Sequence, residues 1–274
     1  MKNFICVLAM LALWAPIVKA DEPTDYKTKH DQMLSSVVLI DQGQGSGSGT
    51  VIYSAEYEGE VHTYILTNFH VVSSAVTVSE EWDSKLGKNV DVERRQPVDA
   101  YWFEYIQYSI NTGKRGQRAE IVAYNAKMDL ALIRLVDTEN IVTPVSPIIP
   151  QSDTVHLMES VWAIGSGMGF PPFATRGEIA AVDGRQSGMT YMMSTAPIVW
   201  GNSGGALFRW SDDRTRYELI GVPSRITIAG FRFPIFNMAW SIPAETIFEF
   251  LENNNLCFIY TEPCPVEEDE AGSN

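Results

Sequence analysis

Positive charge is scarce in this chain. Its 20 lysines and arginines are outnumbered by 34 aspartates and glutamates, so the formal net charge at pH 7 is −14. An acidic surface repels the phosphates of nucleic acids and the headgroups of anionic membranes. We therefore expect neither nucleic acid nor an anionic membrane as a partner.

Long apolar runs are also absent, except within residues 1–20. There a positively charged start leads into the apolar run Phe4–Val18, and small residues follow up to Ala20. A membrane-spanning helix needs about 20 apolar residues, which is more than this run supplies. The pattern is typical of a secretory signal peptide cleaved after Ala20, with an uncleaved anchor as the alternative. We expect a secreted or periplasmic protein without stable membrane insertion, and its net charge becomes −16 because Lys2 and Lys19 are removed.

Cysteine is rare. Three cysteines occur in the chain, and Cys6 lies within the predicted signal peptide, so Cys257 and Cys264 remain after cleavage. An even number of cysteines in an exported chain predicts a disulfide that here closes a short loop, with two reduced thiols as the alternative. Both residues lie in an acidic C-terminal segment, 254–274. Its end after Cys264 lacks apolar periodicity, which is typical of disordered sequence.

Helical patterns are few, whereas short runs of β-branched and aromatic residues recur along the chain between Gly, Pro, Asn and Asp. Many short strands without intervening helices predict an all-β sandwich or barrel rather than a parallel α/β fold. Only a short piece after His70 and the segment Ala244–Asn253 favour a helix. The proline-rich stretch TPVSPIIP, at 143–150, divides the strands into two units of similar size. We expect an N-terminal arm at 21–33, one β unit at 34–150 and another at 151–253.

The stretch GNSGG, residues 201–205, leaves the role of Ser203 open. It fits an ordinary tight turn, the nucleophile elbow of α/β-hydrolases and the nucleophile of another serine hydrolase. A serine nucleophile needs a base, and the chain has only four histidines, His30, His62, His70 and His156. All of them precede Ser203, whereas the α/β-hydrolase order places the histidine last. The elbow interpretation therefore fails.

Two residues before Ser203 are suited to activate it. His70 ends the apolar strand pattern YILTNFHVV, where an imidazole is held rigidly, although a lone histidine at such a place is also an ordinary core residue. Asp129 opens the apolar run DLALIRL and is the candidate for the carboxylate that orients the base. Asp99 also precedes a strand and is the rival acid. The order His, Asp, Ser is that of chymotrypsin.

The motifs TNFHVV, MDLALIRL and GNSGGALF resemble those of trypsin-like serine proteases, particularly the HtrA-like group. GSGSGTVI, VWAIGSGMGF, TRGEIAAV and AWSIP extend the resemblance over roughly residues 34–253. It implies two perpendicular six-stranded antiparallel β-barrels of the chymotrypsin type with a C-terminal helix. It also implies His70 as general base, Asp129 as its orienting acid and Ser203 as nucleophile. The backbone N–H groups of Gly201 and Ser203 would form the oxyanion hole, and no metal or organic cofactor is implied.

The sequence departs from the HtrA-like pattern in two ways. We expect no PDZ domain, because the chain ends soon after the last predicted helix. The stretch between His70 and Asp129 is predicted to hold an enlarged loop at 80–118, and its aromatic residues fit either barrel packing or a binding surface.

The predicted substrate pocket is apolar. Its positions by resemblance are Pro197 and Ile198 on one wall and Met238 and Trp240 on the other, and neither wall carries an acid. Because a pocket for Lys or Arg needs a buried carboxylate, we expect an endopeptidase that cleaves proteins and peptides after small or medium apolar residues. Arg225 is the one nearby charge, and it would favour an acidic residue if it pointed inward. A catalytically idle trypsin-like binding or scaffold protein is the alternative function.

Overall fold

The computed structural model of the chain describes residues 21–43, 45–136, 142–230 and 232–261. The α-helices of the described residues are α1 (Tyr26–Gln32), α2 (Phe69–Val72) and α3 (Ala244–Glu252). The strands are β1 (Val37–Asp41), β2 (Ser46–Tyr57), β3 (Glu60–Thr67), β4 (Val76–Asp83), β5 (Lys88–Arg95), β6 (Val98–Ile106), β7 (Ile110–Asn125), β8 (Leu130–Leu135), β9 (Ser160–Gly165), β10 (Phe173–Gln186), β11 (Met189–Ser194), β12 (Ala206–Ser211), β13 (Arg216–Ala229) and β14 (Phe233–Pro243).

Twelve of these strands close into two antiparallel barrels of six. The first barrel has the strand order β1-β2-β3-β8-β7-β6, and the second has the order β10-β11-β14-β13-β12-β9. The prediction of an all-β fold with two six-stranded barrels and a C-terminal helix is confirmed.

Strand periodicity explains how one chain fills three cores. In β8, Ala131 and Ile133 join the core inside the first barrel, whereas Leu130 and Leu132 join a cluster shared by both barrels. Successive side chains of a strand point to opposite faces, so a strand buried on both faces is apolar throughout. In the second barrel, β13 places Ile220 in the barrel interior, and Leu219 and Val222 in the shared cluster. Helix α3 covers the shared cluster with Ile247, Phe250 and Leu251, at the spacing of an apolar helix face.

The proline-rich segment 143–150 passes from one barrel to the other. The Ser146 N–H donates to the Val51 carbonyl of β2 at 2.8 Å. Three residues later, the Ile149 N–H donates to the Leu219 carbonyl of β13 at 3.0 Å. The connection is thus hydrogen-bonded to both barrels.

The N-terminal arm contains a helix that the sequence pattern does not indicate. Asp25 caps α1, because its carboxylate accepts a hydrogen bond from the Thr28 N–H at 2.8 Å. The helix buries no residue, so its sequence has no apolar face from which a helix could be predicted. Before it, the Glu22 carboxylate accepts hydrogen bonds from Trp162 Nε1 at 2.7 Å and Tyr217 Oη at 3.0 Å. These contacts hold the arm on the second barrel.

The enlarged segment 80–118 is not a loop. Most of it belongs to two hairpins, of which β4–β5 forms a separate two-stranded sheet and β6–β7 belongs to the first barrel. Cys257 is buried in a short 3₁₀ turn after α3, whereas Cys264 lies outside the described residues. The predicted signal peptide and the acidic end of the chain lie outside them as well. Within the described part, no helix has both the length and the apolar character needed to cross a bilayer.

Candidate active site

The pairing of β3 with β8 brings His70 and Asp129 together. The two strands are antiparallel neighbours in the first barrel, and Thr67 at the end of β3 lies opposite Ala131 near the start of β8. The residues just after β3 and just before β8 therefore meet at the same barrel edge. His70 lies in the single helical turn α2 rather than at the strand end itself, which corrects the prediction from the sequence.

Asp129 contacts His70 through both carboxylate oxygens and through the backbone. The His70 Nδ1 atom lies 3.0 Å from Oδ1 and 2.9 Å from Oδ2, and the His70 backbone N–H donates to Oδ1 at 3.0 Å. The Asn68 side chain donates to the Asp129 carbonyl at 2.9 Å. Because Nδ1 faces the carboxylate, the Nε2 atom is left as the basic nitrogen of the imidazole.

The electrostatic setting of Asp129 favours its ionised form. The residue is only 8% exposed. Burial raises the pKa of its carboxyl, but hydrogen bonds from His70 and Ser224 and the charge of His70 lower it further, and the net pKa lies below the ordinary value for aspartate. The carboxylate is therefore charged at neutral pH and can stabilise a positive imidazolium beside it. The rival acid, Asp99, is exposed on β6.

Ser203 lies in a tight turn just before β12. The backbone of this turn leaves no room for a side chain at its glycines. Gly201 has φ 96°, and a Cβ there would lie 2.8 Å from the Met168 nitrogen. Gly204 has φ 84°, and a Cβ there would lie 2.2 Å from the Ser48 carbonyl oxygen. Within the described chain, the backbone N–H groups of Gly201 and Ser203 donate to no other residue. Among the described residues, both N–H groups thus remain available to a ligand.

Ser224 of β13 connects the two halves of the site and was missed in the sequence. Its hydroxyl donates to Asp129 Oδ2 at 2.8 Å, and its carbonyl accepts a hydrogen bond from the Ser203 hydroxyl at 3.2 Å. In this structure the Ser203 hydroxyl thus donates to a backbone carbonyl, and rotation about its Cα–Cβ bond redirects it. Loose contacts of this kind are usual at catalytic serines without substrate.

Ser48 of β2 fixes the serine turn to the first barrel. Its N–H donates to the Ser203 carbonyl at 2.8 Å, and its hydroxyl donates to the Gly201 carbonyl at 2.6 Å. The same hydroxyl accepts from the Ser166 N–H at 2.7 Å, and the Ser48 carbonyl accepts from Thr67 Oγ1 at 2.7 Å. Ser48 is fully buried. The only hint of it in the sequence is a serine within the glycine-rich run GSGSG.

The predicted pocket residues do not all meet. Pro197 is exposed, and Ile198 is buried in the core of the second barrel. The backbone of Ile198 donates to the Phe236 carbonyl of β14 at 3.0 Å, so the two predicted walls are adjacent. Met238 and Trp240 are half-buried on β14, but Trp240 packs against the cluster between the barrels.

The chain thus has two antiparallel barrels, with a His–Asp pair on one and a glycine-flanked serine on the other. This arrangement defines a two-barrel serine peptidase. A family profile described as "Trypsin-like peptidase domain" matches residues 47–222, which is more than half of the chain. The chain belongs to the trypsin-like peptidase family, and it is a serine endopeptidase.

The chain is also similar to solved structures, among them a serine endoprotease and an HtrA-type protease. The serine endoprotease from Yersinia pestis shares 22% identity over 85% of this chain and 68% of its own, with a TM-score of 0.56. The HtrA-type protease AlgW, solved with a tripeptide, shares 21% identity over 84% of this chain and 63% of its own, with a TM-score of 0.57. Deg5 shares 19% identity over 86% of this chain and 96% of its own, with a TM-score of 0.56. No curated protein sequence matches the chain.

Proposed function

We propose that this endopeptidase is a secreted or periplasmic enzyme that cleaves proteins through His70, Asp129 and Ser203. The observation that carries the proposal is the contact of the Asp129 carboxylate with His70 Nδ1, at 2.9 Å. It fixes the tautomer in which Nε2 accepts a proton, as a general base must.

The reaction then follows acyl-transfer chemistry. As Ser203 Oγ attacks the scissile carbonyl carbon, its proton moves to His70 Nε2, and the carbonyl oxygen becomes an oxyanion bound by the N–H groups of Gly201 and Ser203. The imidazolium gives that proton to the leaving amine, so the C–N bond breaks and an ester to Ser203 remains. Water repeats the sequence, losing a proton to Nε2 and releasing the acid, and Ser203 regains its hydrogen.

The proposed specificity is for small or medium apolar residues before the scissile bond. The two adjacent walls, residues 196–200 and 236–243, contain no Asp or Glu to pair with a Lys or Arg side chain. An unpaired buried cation is costly, so basic residues are disfavoured there.

Export and the disulfide belong to the same proposal. The signal pattern in residues 1–20 supports secretion, and an oxidising compartment would allow the bond between Cys257 and Cys264. Mass spectrometry of exported protein under non-reducing conditions should find the two peptides linked, and two free thiols would contradict the bond.

Labelling with a fluorophosphonate tests the catalytic assignment against the idle scaffold alternative. The wild type should label at Ser203, and Ser203→Ala should not label although it folds equally well by circular dichroism. A peptide library digested by both proteins then reports specificity. Folded wild type that neither labels nor cleaves would favour the scaffold.

A further inference from the structure

Arg225 of β13 is a half-buried cation that forms no ion pair with any described carboxylate. Its guanidinium carbon lies 4.7 Å from the ring centroid of Tyr191, and no carboxylate in the described ranges forms an ion pair with it. Two other partly buried arginines, Arg209 and Arg214, are both paired with Asp153. Arg225 therefore differs from them, because an aromatic face holds it and its N–H donors are not used by a carboxylate.

Arg225 lies next to the reaction centre. It follows Ser224, which contacts both Asp129 and Ser203. It also lies opposite Trp240 in the register of β13 and β14, so the two side chains share one face of the sheet.

Tyr191 links this arginine to the site electrostatically. Burial raises the pKa of the Tyr191 phenol, Arg225 lowers it and Asp129 raises it, so the phenol lies within the fields of both charged groups. Its hydroxyl is buried and has no hydrogen-bond partner in the part of the chain that the structure describes. The guanidinium is thus held by the Tyr191 ring and is not neutralised by a described neighbour.

We propose that Arg225 forms an anion subsite beside the Ser203 site, which binds the carboxylate side chain of an Asp or Glu residue in a peptide substrate close to the scissile bond. The inference rests on the proposed function of this site. A planar guanidinium with free donors matches a carboxylate in charge and geometry. The protein as a whole is strongly acidic, so its overall field does not attract acidic peptides, and any preference for them arises locally.

Binding to Ser203→Ala protein tests the subsite without requiring catalysis. Labelled peptides that differ only by Glu or Gln at one of the four positions before the scissile bond are titrated by fluorescence anisotropy. At one position the Glu peptide should bind about tenfold more tightly than the Gln peptide at low salt, and salt should reduce the ratio. Equal affinities at all four positions would overturn the subsite.

Variants assign the preference to Arg225. In the Ser203→Ala background, Arg225→Gln should bring the Glu/Gln ratio to about one, and Arg225→Glu should make a Lys peptide the preferred ligand. Arg185→Gln removes an exposed arginine of β10 and should leave the ratio unchanged. A ratio that persists in Arg225→Gln would refute the assignment. Because each ratio is measured within one variant, a general loss of stability cancels.

The kcat/KM values of the active protein for the same peptide pairs should show the same ratio. If the wild type bound Glu peptides selectively but cleaved none, the subsite would stand and the proposed catalytic function would fail. If it cleaved Glu and Gln peptides equally, the enzyme would stand and the subsite would fail.

Discussion

The two barrels build their parts of the site by different means. The first barrel uses side chains, since Asp129 and His70 are held by several hydrogen bonds between named polar groups. The second uses backbone, since the turn around Ser203 depends on glycines that leave space and N–H groups that stay free. Side-chain identity therefore limits substitution in the first barrel, whereas the space available to the backbone limits it in the second.

The largest effect on kcat should come from a substitution in the first barrel, which builds its part of the site from side chains. Asp129→Asn removes the charge that stabilises the imidazolium and favours the wrong tautomer, so kcat should fall by about 10⁴-fold while the fold is kept. Asp99→Asn is the matched control and should leave kcat unchanged. Steady-state kinetics with one peptide substrate decide between the two acids, and a larger loss in Asp99→Asn would overturn the assignment.

The backbone half should respond to a single methyl group. Gly201→Ala places a Cβ against the Met168 nitrogen and displaces one oxyanion donor, so kcat should fall by about 10²–10³-fold with little change in KM. Gly188→Ala tests strain alone, because that residue has φ 79° but a Cβ there meets no atom within 4 Å. Equal losses in both variants would show that strain, rather than the oxyanion hole, is responsible.

The junction between the halves should give an intermediate effect. Ser48→Ala leaves the buried Gly201 carbonyl and Ser166 N–H without their partner, which should lower the free energy of unfolding by about 1–3 kcal/mol. The serine turn should also loosen, lowering kcat by roughly tenfold. Urea unfolding and kinetics measure the two effects, and Ser46→Ala, at an exposed serine of the same strand, is the control. If neither the free energy of unfolding nor kcat changed in Ser48→Ala, the turn would keep its conformation without the Ser48 hydrogen bonds.

The smallest effect should come from the arm on the second barrel. Burial raises the pKa of Glu22, but hydrogen bonds from Trp162 and Tyr217 and the charges of Arg176 and Lys29 lower it further, to a net value below 4.5. The stabilisation is therefore complete above about pH 4.5 and is lost as the pH falls through the folded-state pKa. Glu22→Gln should lower the free energy of unfolding by about 1 kcal/mol near neutral pH, and the difference from wild type should shrink in acid. A difference independent of pH would contradict this origin.

The sequence predicts the fold well because its signals are local. Strands of alternating or continuous apolar residues, the proline-rich divider at 143–150 and the helix after β14 all follow from neighbouring residues. The β4–β5 hairpin and the polar helix α1 were missed, because neither has a strong apolar pattern. The position of His70 in α2 rather than at a strand end was missed for a different reason, because the sequence of α2, FHVV, is as apolar and β-branched as the strand before it.

The site is predicted less completely. The scarcity of histidine and the order of the motifs indicate His70, Asp129 and Ser203, and the structure brings the first two into contact. Ser48 and Ser224 escape prediction because serine is common and their contacts join residues far apart in the chain. The Ser48 hydroxyl reaches Gly201, and the Ser224 hydroxyl reaches Asp129. Such pairs become visible only when both barrels are in place.

The contact from Ser224 to Asp129 has a consequence for how this protein is made. The first barrel carries His70 and Asp129, but the nucleophile and one donor to the acid belong to the second barrel. The second barrel supplies both at once when it docks. Under the proposed roles, the complete site therefore exists only when both barrels have folded and packed together, so a partly folded chain lacks the means to digest itself.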